Sequence, residues 1–193
     1  MKIWFVLGLL GVCAVGCCKS GGEAPGGVAA EVKAAVEQMP DGWNCYAAGT
    51  KLAPHGAPAV KLLQVHLEDS SMSARHRACI LEAAKEILID HQRDLATNEA
   101  SAQLVCAGIK KADDDSDVKS GTRAITLAWW VISVGTRPDY GPVPWATLKD
   151  GCGASIEEIA KKGAIRGASL DTATKNKAQV VAASLACTCN KLN

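Results

Sequence analysis

APAVKLLQVHLEDSSMSARHRACILEAAKEILI, residues 57–89, decides the fold of this 193-residue chain, because it contains two helical patterns separated by a polar turn. In its first half the apolar residues recur at the spacing of one helix face, at positions Val60, Leu63 and Leu67. The acidic and serine-rich residues 68–71 break this pattern, since their side chains bind backbone amides and favour a turn followed by a helix start. In the second half a new apolar stripe follows, at positions Ala78, Leu81, Ala84 and Leu88. Two amphipathic helices with so short a connection are expected to lie antiparallel and to cover each other's apolar faces.

A pattern that begins in this stretch occurs three times along the chain. An acidic turn residue is followed six residues later by a basic one, and small or apolar residues then follow at every third position. The three acid–base pairs are Asp69 with Arg75, Asp113 with Lys119, and Asp171 with Lys177. The two intervals are 44 and 58 residues, and the longer one contains a segment rich in proline and glycine, residues 135–147. The pattern therefore predicts a repeated pair of helices with one insertion.

This pattern resembles the HEAT-like helical repeats, whose second helix commonly opens with an acidic turn residue and then a basic one. The resemblance covers residues 57–189, although the first helices of the three units match less well than the second helices. It implies an all-α domain of antiparallel helical hairpins, stacked as a short α-solenoid. An irregular helical bundle is the alternative, since apolar residues at every third or fourth position occur in any amphipathic helix.

The composition agrees with a helical protein and argues against a nucleic-acid partner. Small residues are abundant and aromatic residues make up only 4% of the chain, which favours helices. Periodicity predicts further helices over residues 27–39, 43–52, 99–111, 118–134, 155–168 and 172–187. The helix over 118–134 is the most hydrophobic of these and is expected to lie centrally. The net charge is +1 with no concentrated basic face, which argues against nucleic-acid binding.

The first seventeen residues, MKIWFVLGLLGVCAVGC, have the form of a secretion signal: one early lysine, an apolar run and small residues before a cysteine. They are too short for a spanning helix and resemble a bacterial lipoprotein signal, which implies a lipid on Cys17. Ala14 departs from the usual larger aliphatic residue at that place, and the adjacent Cys18 is a second possible lipid acceptor. Ordinary signal cleavage is the alternative. The chain is therefore divided into a signal peptide, a flexible tether and a helical domain, over residues 1–16, 17–27 and 28–193.

The lipoprotein resemblance implies a place in the cell. The protein would lie in the bacterial cell envelope, attached to a membrane through its N-terminal lipid. The second mature residue would be Cys18 rather than an aspartate, which by analogy implies the outer membrane, facing the periplasm or the surface. The glycine-rich tether would let the domain stand off that membrane.

Six cysteines follow the leader: Cys45, Cys79, Cys106, Cys152, Cys187 and Cys189. An even number in an oxidising compartment predicts three disulfides. Cys187 and Cys189 are too close in sequence to be expected to pair, which leaves twelve of the fifteen pairings. Pairing between neighbouring units favours a bond between Cys45 and Cys79, with Cys106 and Cys152 bound to the two C-terminal cysteines.

Several candidate sites fail or have a plainer interpretation. Residues 113–117 offer alternate carboxylates, but Val118 and Ala124 stand where a calcium loop needs glycine and glutamate, so these acids are expected to stabilise a helix start. The basic group at residues 75–77 is expected to be a solvated helix start. The four histidines lack metal-ligand spacing, and the chain carries no catalytic motif. We therefore expect no enzyme, no metal and no cofactor.

Two features remain as candidate functional sites. The irregular segment 135–147 carries Arg137, Tyr140 and Trp145, residue types that contribute strongly to protein recognition, so we predict partner binding there. The alternative is that Trp145 packs between two hairpins. The first functional hypothesis is thus a non-catalytic module that binds or scaffolds an envelope protein. The second is a thiol redox or metal-handling protein that uses Cys187 and Cys189.

Overall fold

A computed structural model of the chain describes residues 25–39, 44–115, 117–135 and 142–187. These residues are mostly helical, which confirms the all-α class. The helices are α1 (Pro25–Gln38), α2 (Asn44–Leu52), α3 (Ala57–Glu68), α4 (Ala74–Asp90), α5 (Leu95–Asp114), α6 (Val118–Gly135), α7 (Trp145–Leu148), α8 (Ala154–Lys162) and α9 (Thr172–Cys187). A 3-10 turn, Ala53–His55, precedes α3, and a π-helical turn, Lys149–Gly153, joins α7 to α8. Within these ranges no helix is both long enough and apolar enough to cross a membrane.

The stretch 57–89 forms two helices, as predicted. The apolar stripe of α3 is fully buried. In the turn, the Asp69 carboxylate accepts a hydrogen bond from the backbone N–H of Ser71 at 2.9 Å. The hydroxyl of Ser73 then caps α4 by accepting a hydrogen bond from the backbone N–H of His76. Local side-chain chemistry thus ends one helix and begins the next.

The main packing partners of α3 and α4 differ from those predicted. The two helices do contact each other, but α3 packs mainly against α1 and α5, and α4 packs mainly against α2 and α6. Helix α4 is buried over a wide face, from Cys79 to Leu88, which is more than one neighbour can cover. The contacts therefore form a first row of α1, α3 and α5 and a second row of α2, α4, α6 and α9.

Helix α6 occupies the central position predicted for it. It contacts α4, α5 and α9. Its inward residues are almost completely buried; they are Ala124, Ile125, Leu127, Ala128, Val131 and Ile132. Since three helices surround α6, only one narrow side of it faces solvent.

Two glycines allow the helices to approach closely. A Cβ atom at Gly49 of α2 would lie 2.6 Å from Glu86 Cβ and 2.7 Å from the backbone oxygen of Ala83 on α4. A Cβ atom at Gly121 of α6 would lie 2.9 Å from Ala112 Cβ on α5. Both distances are too short for a real side chain, so a larger residue at either place would push the packed elements apart.

The last unit departs from the sequence prediction. The predicted helix over 155–168 is confirmed for residues 155–162 but extends too far, because α8 ends at Lys162 and the following Gly163 has a left-handed backbone with φ of 62°. A short antiparallel hairpin follows, β1 (Ala164–Ile165) and β2 (Ala168–Ser169). Its two turn residues, Arg166 and Gly167, have φ of 50° and 81°, as the tight turn of a two-residue hairpin requires. The hairpin brings the buried side chain of Ile165 against Gly121.

The observed helix starts show that one residue of the predicted repeat was misaligned: Asp117, and not Asp113, is equivalent to Asp171. Asp117 accepts a hydrogen bond from the backbone N–H of Ser120 at 3.0 Å, and Asp171 accepts one from that of Thr174 at 2.9 Å. Asp117 and Asp171 therefore stand at the starts of α6 and α9, as Ser73 does for α4. The first interval of 44 residues joins equivalent positions, whereas the second equivalent interval is 54 residues and not 58.

Two cysteine pairs lie at disulfide distance. Cys45 on α2 is joined to Cys79 on α4, with 5.0 Å between the Cα atoms, which is the pairing predicted. Cys106 on α5 is joined to Cys152 in the π-helical turn, with 5.1 Å between the Cα atoms. The prediction that these two cysteines bind the C-terminal ones is wrong, because α5 lies beside the turn before α8. Cys187 is free and exposed.

Candidate functional site

The basic group at residues 75–77 is divided between the interior and the surface. Arg77 is only 5% exposed, so the prediction that this group is a solvated helix start is wrong for Arg77. Its Nε donates to Asp117 Oδ2 at 3.1 Å, its Nη1 donates to the backbone oxygen of Met72 at 2.6 Å, and its Nη2 lies 3.3 Å from Asp115 Oδ2. This buried network joins the start of α4 to the start of α6.

Asp117 is the centre of that network. Besides Arg77 it accepts hydrogen bonds from the backbone N–H and the hydroxyl of Ser120, and it is itself only 5% exposed. The Ser120 hydroxyl also lies 3.4 Å from the backbone oxygen of Ala74 on α4. Of the acids of residues 113–117, Asp117 therefore stabilises a helix start, as predicted, and also pairs with a buried arginine, whereas Asp113 and Asp114 lie in the last turn of α5.

Arg75 and Lys119 lie on the outer side of the same two helix starts. Both side chains are exposed, and neither makes a hydrogen bond or an ion pair with a residue that the structure describes. Arg75 lies two residues after Ser73, which caps α4, and Lys119 lies two residues after Asp117, which caps α6. They therefore occupy equivalent positions on two neighbouring helices of the second row.

A cleft of about 300 Å³ opens on the second row beside Arg75. Its floor is apolar and consists of Met39 together with the Cys45–Cys79 disulfide. Its walls come from three helices: Tyr46 of α2, Arg75 and Glu82 of α4, and Arg123 of α6. Tyr46 is 63% exposed, a large value for an aromatic side chain. We call this site the arginine cleft.

The one carboxylate among the described residues that line the arginine cleft is already neutralised by neighbouring cations. Glu82 Oε2 lies 3.0 Å from Arg123 Nη1, and Glu82 Oε1 accepts a hydrogen bond from the Lys85 ammonium. Burial lowers the pKa of Lys85, but its hydrogen bonds to Glu82 and Glu86 outweigh burial, so the net pKa is raised above its usual value. Because Glu82 is satisfied within the protein, Arg75 and the outer edge of the Arg123 guanidinium remain available to a ligand.

The outer side of α6 continues this surface towards α9. Its outward residues recur at helical spacing, at Lys119, Arg123, Thr126 and Trp130. The half-buried rings of Trp129 and Trp130 meet edge to face with centroids 5.4 Å apart. The Lys177 ammonium of α9 lies 5.8 Å from the centre of the Trp129 ring and 3.4 Å from the Thr126 hydroxyl. The second row thus presents basic and aromatic side chains along one side.

The residues predicted to bind a partner are only partly described. Trp145 begins α7, is half-buried and packs against the core, which favours the alternative that this residue packs between helices. Val143, two residues earlier, is also buried. Arg137 and Tyr140 lie outside the described residues, as do Cys17 and Cys189.

Another cleft, of about 290 Å³, lies between α5, α8 and the hairpin. Its charges are paired across its rim, Arg166 with Asp113 at 3.2 Å and Lys162 with Glu158. The cleft therefore carries no surplus charge to select a ligand. In the part of the chain that the structure covers, no group of three or more His, Cys, Asp or Glu residues could hold a metal ion.

Comparisons with protein-family models, with curated proteins and with solved structures found no match to this chain. The function of the protein must therefore be inferred from the side chains at its surface. The repeated acid–base pattern had already marked Arg75 and Lys119 as equivalent, but Tyr46 and Arg123 were missed. Arg123 follows Lys119 by one helical turn, and this spacing was the available signal.

Proposed function

We propose that this protein is a non-catalytic binding or scaffold module of the bacterial cell envelope, anchored by a lipid on Cys17 and binding a protein partner through its second row. The form of the first seventeen residues and the even number of cysteines that follow them support the compartment. The contacts of α4 with α2 and with α6, the helices two places before and after it, support a short HEAT-like solenoid, because stacked helix pairs produce such contacts. An extended side built from successive helices is the surface that such folds use for binding.

The observation that carries this proposal is the arginine cleft. Tyr and Arg are the residue types most enriched where protein interfaces gain most of their free energy. Here an exposed tyrosine lies beside two arginines, one of them without a partner among the described residues. Tyrosine supplies contact area at a small loss of conformational entropy, which suits it to this role.

Site-specific photo-crosslinking in the native envelope tests the proposal. A photoreactive phenylalanine analogue replaces Tyr46 in the second row or, as a control, Val65 of α3, which is similarly exposed at 66% but lies in the first row. We expect a discrete crosslinked protein from position 46 and none from position 65. The same analogue at Tyr140 tests whether the predicted loop makes a second contact.

Two results would contradict this proposal. Equal crosslinking at positions 46 and 65, or none at position 46, would remove the second row as a binding face. The anchor is tested in the same cells with Cys17→Ser, which should move the protein from the membrane fraction to the soluble fraction. Retention of that variant in the membrane would reject the lipid on Cys17.

The second candidate function is thiol redox or metal handling by the Cys187-Thr188-Cys189 segment. It is favoured by one observation: four of the six cysteines pair with one another, while Cys187 remains free and exposed. Thiol labelling with a maleimide on the non-reduced, denatured protein distinguishes the two functions. Labels on both Cys187 and Cys189 would favour the thiol function, and no label on either would favour the binding module.

A further inference from the structure

We infer that the arginine cleft binds the carboxylate of an acidic peptide segment of the partner protein. This inference rests on the proposed function and specifies the chemistry of the partner. It has three supports in the structure: the charge of the cleft, its shape, and the fixed geometry of the two helices that carry its arginines.

The charge of the cleft selects an anion. The two carboxylates Glu82 and Glu86 are compensated by the two cations Lys85 and Arg123, so Arg75 leaves one surplus positive charge among the described residues. Arg75 has no partner among the described residues, and Arg123 has only one terminal nitrogen engaged by them. A guanidinium group offers two parallel N–H donors that match the two oxygens of a carboxylate, so these arginines are suited to bind one.

The shape of the cleft selects a peptide rather than a membrane surface. A volume of about 300 Å³ accommodates one or two side chains, and the apolar floor suits the aliphatic part of a glutamate or its neighbour. Tyr46 can cover that part from one side. A flat lipid surface could not enter a cleft of this size, whereas a side chain that projects from a peptide can.

The two arginines are held in fixed relation before any ligand arrives. The buried pair of Arg77 and Asp117 joins α4 to α6, and the Glu82–Arg123 ion pair spans the same two helices closer to the cleft. Little conformational freedom of the helices is then lost on binding, which favours affinity.

The test uses the full-length mature protein in a non-ionic detergent and two fluorescein-labelled peptides, Gly-Asp-Glu-Asp-Glu-Gly and its neutral counterpart Gly-Asn-Gln-Asn-Gln-Gly. Fluorescence anisotropy at low ionic strength is expected to show binding of the acidic peptide only. Arg75→Glu should weaken that binding about tenfold or more, whereas Arg75→Lys should weaken it less, because lysine retains the charge but not the paired donors. Lys61→Glu makes the same charge change at an exposed position of α3 and should leave the binding of the acidic peptide unchanged.

Three results would overturn the inference. They are equal binding of both peptides, an equal effect of Arg75→Glu and Lys61→Glu, and Arg75-dependent binding of short-chain phosphatidylglycerol in place of the peptide. The inference and the proposed function fail separately. If the partner still crosslinks at position 46 in the Arg75→Glu variant with unchanged yield, the acidic-peptide inference is lost while the binding module stands.

Discussion

Replacing Arg77 with methionine is expected to lower the free energy of unfolding by about 3–5 kcal/mol. The guanidinium of Arg77 is buried and is the cation that faces the buried carboxylate of Asp117 at 3.1 Å. Methionine has a similar length and would fill much of the space, so lost packing is a minor part of the effect. The main cause is that the buried negative charge of Asp117 loses its partner, which is far more unfavourable than the loss of one contact. Urea denaturation of the full-length protein measures the difference.

Two further variants separate this cause from a general sensitivity of α4. Arg75→Met makes the same change two residues away, at an exposed position, and should alter the free energy of unfolding by less than about 0.5 kcal/mol. In the double variant Arg77→Met with Asp117→Asn, the charge is removed while the amide oxygen still accepts from Ser120. This double variant should be more stable than Arg77→Met alone. If it is less stable, the unpaired charge is not the cause.

Removing the Cys45–Cys79 disulfide is the second change with a large expected effect. The bond closes a loop with a sequence separation of 34 residues, and a covalent bond over such a loop is expected to contribute about 2–4 kcal/mol. The double variant Cys45→Ala with Cys79→Ala should lose about this amount, since α2 is then held to α4 only by packing and Cys79 is buried. The measurement is urea denaturation without reductant.

The free cysteine supplies the control for that experiment. Cys187→Ala removes an exposed thiol and should leave the unfolding midpoint unchanged. Removing Cys106 and Cys152 together should be about as destabilising as removing the first pair, because the closed loop is of similar length, with a sequence separation of 46. A double variant of either pair that unfolds at the wild-type midpoint would show that the corresponding bond does not constrain the chain.

Local patterns predicted the helices and part of their ends. The apolar spacing of α3, the serine at the start of α4 and the continuous apolarity of α6 each act within a few residues, so one sequence contains all the information needed. The last unit shows where this fails. Its strands have two residues each, too few to show a periodicity. The left-handed backbone at Gly163 ends α8, whereas the apolar spacing had predicted a helix up to residue 168.

The candidate site was less accessible from sequence than the helices. The pattern marked Arg75 and Lys119, but it gave no reason to join them to Tyr46, which lies on another helix 29 positions before Arg75. The cleft exists because α2 packs on α4 rather than on α1 alone, and that choice of partner depends on the close approach at Gly49. Conversely, Trp145 is of a residue type that is common in protein interfaces, but it is half-buried against the core.

Neighbouring residues are sufficient to specify a helical chain, because helix periodicity and capping act over a few positions. Contacts between distant segments were needed to specify which helices face each other, which of two arginines two residues apart is buried, and that Cys106 bonds to Cys152. These outcomes depend on the packing of surfaces far apart in sequence, where many combinations satisfy the same local pattern. Only the combination that buries every wide apolar face without leaving a buried charge unpaired is stable.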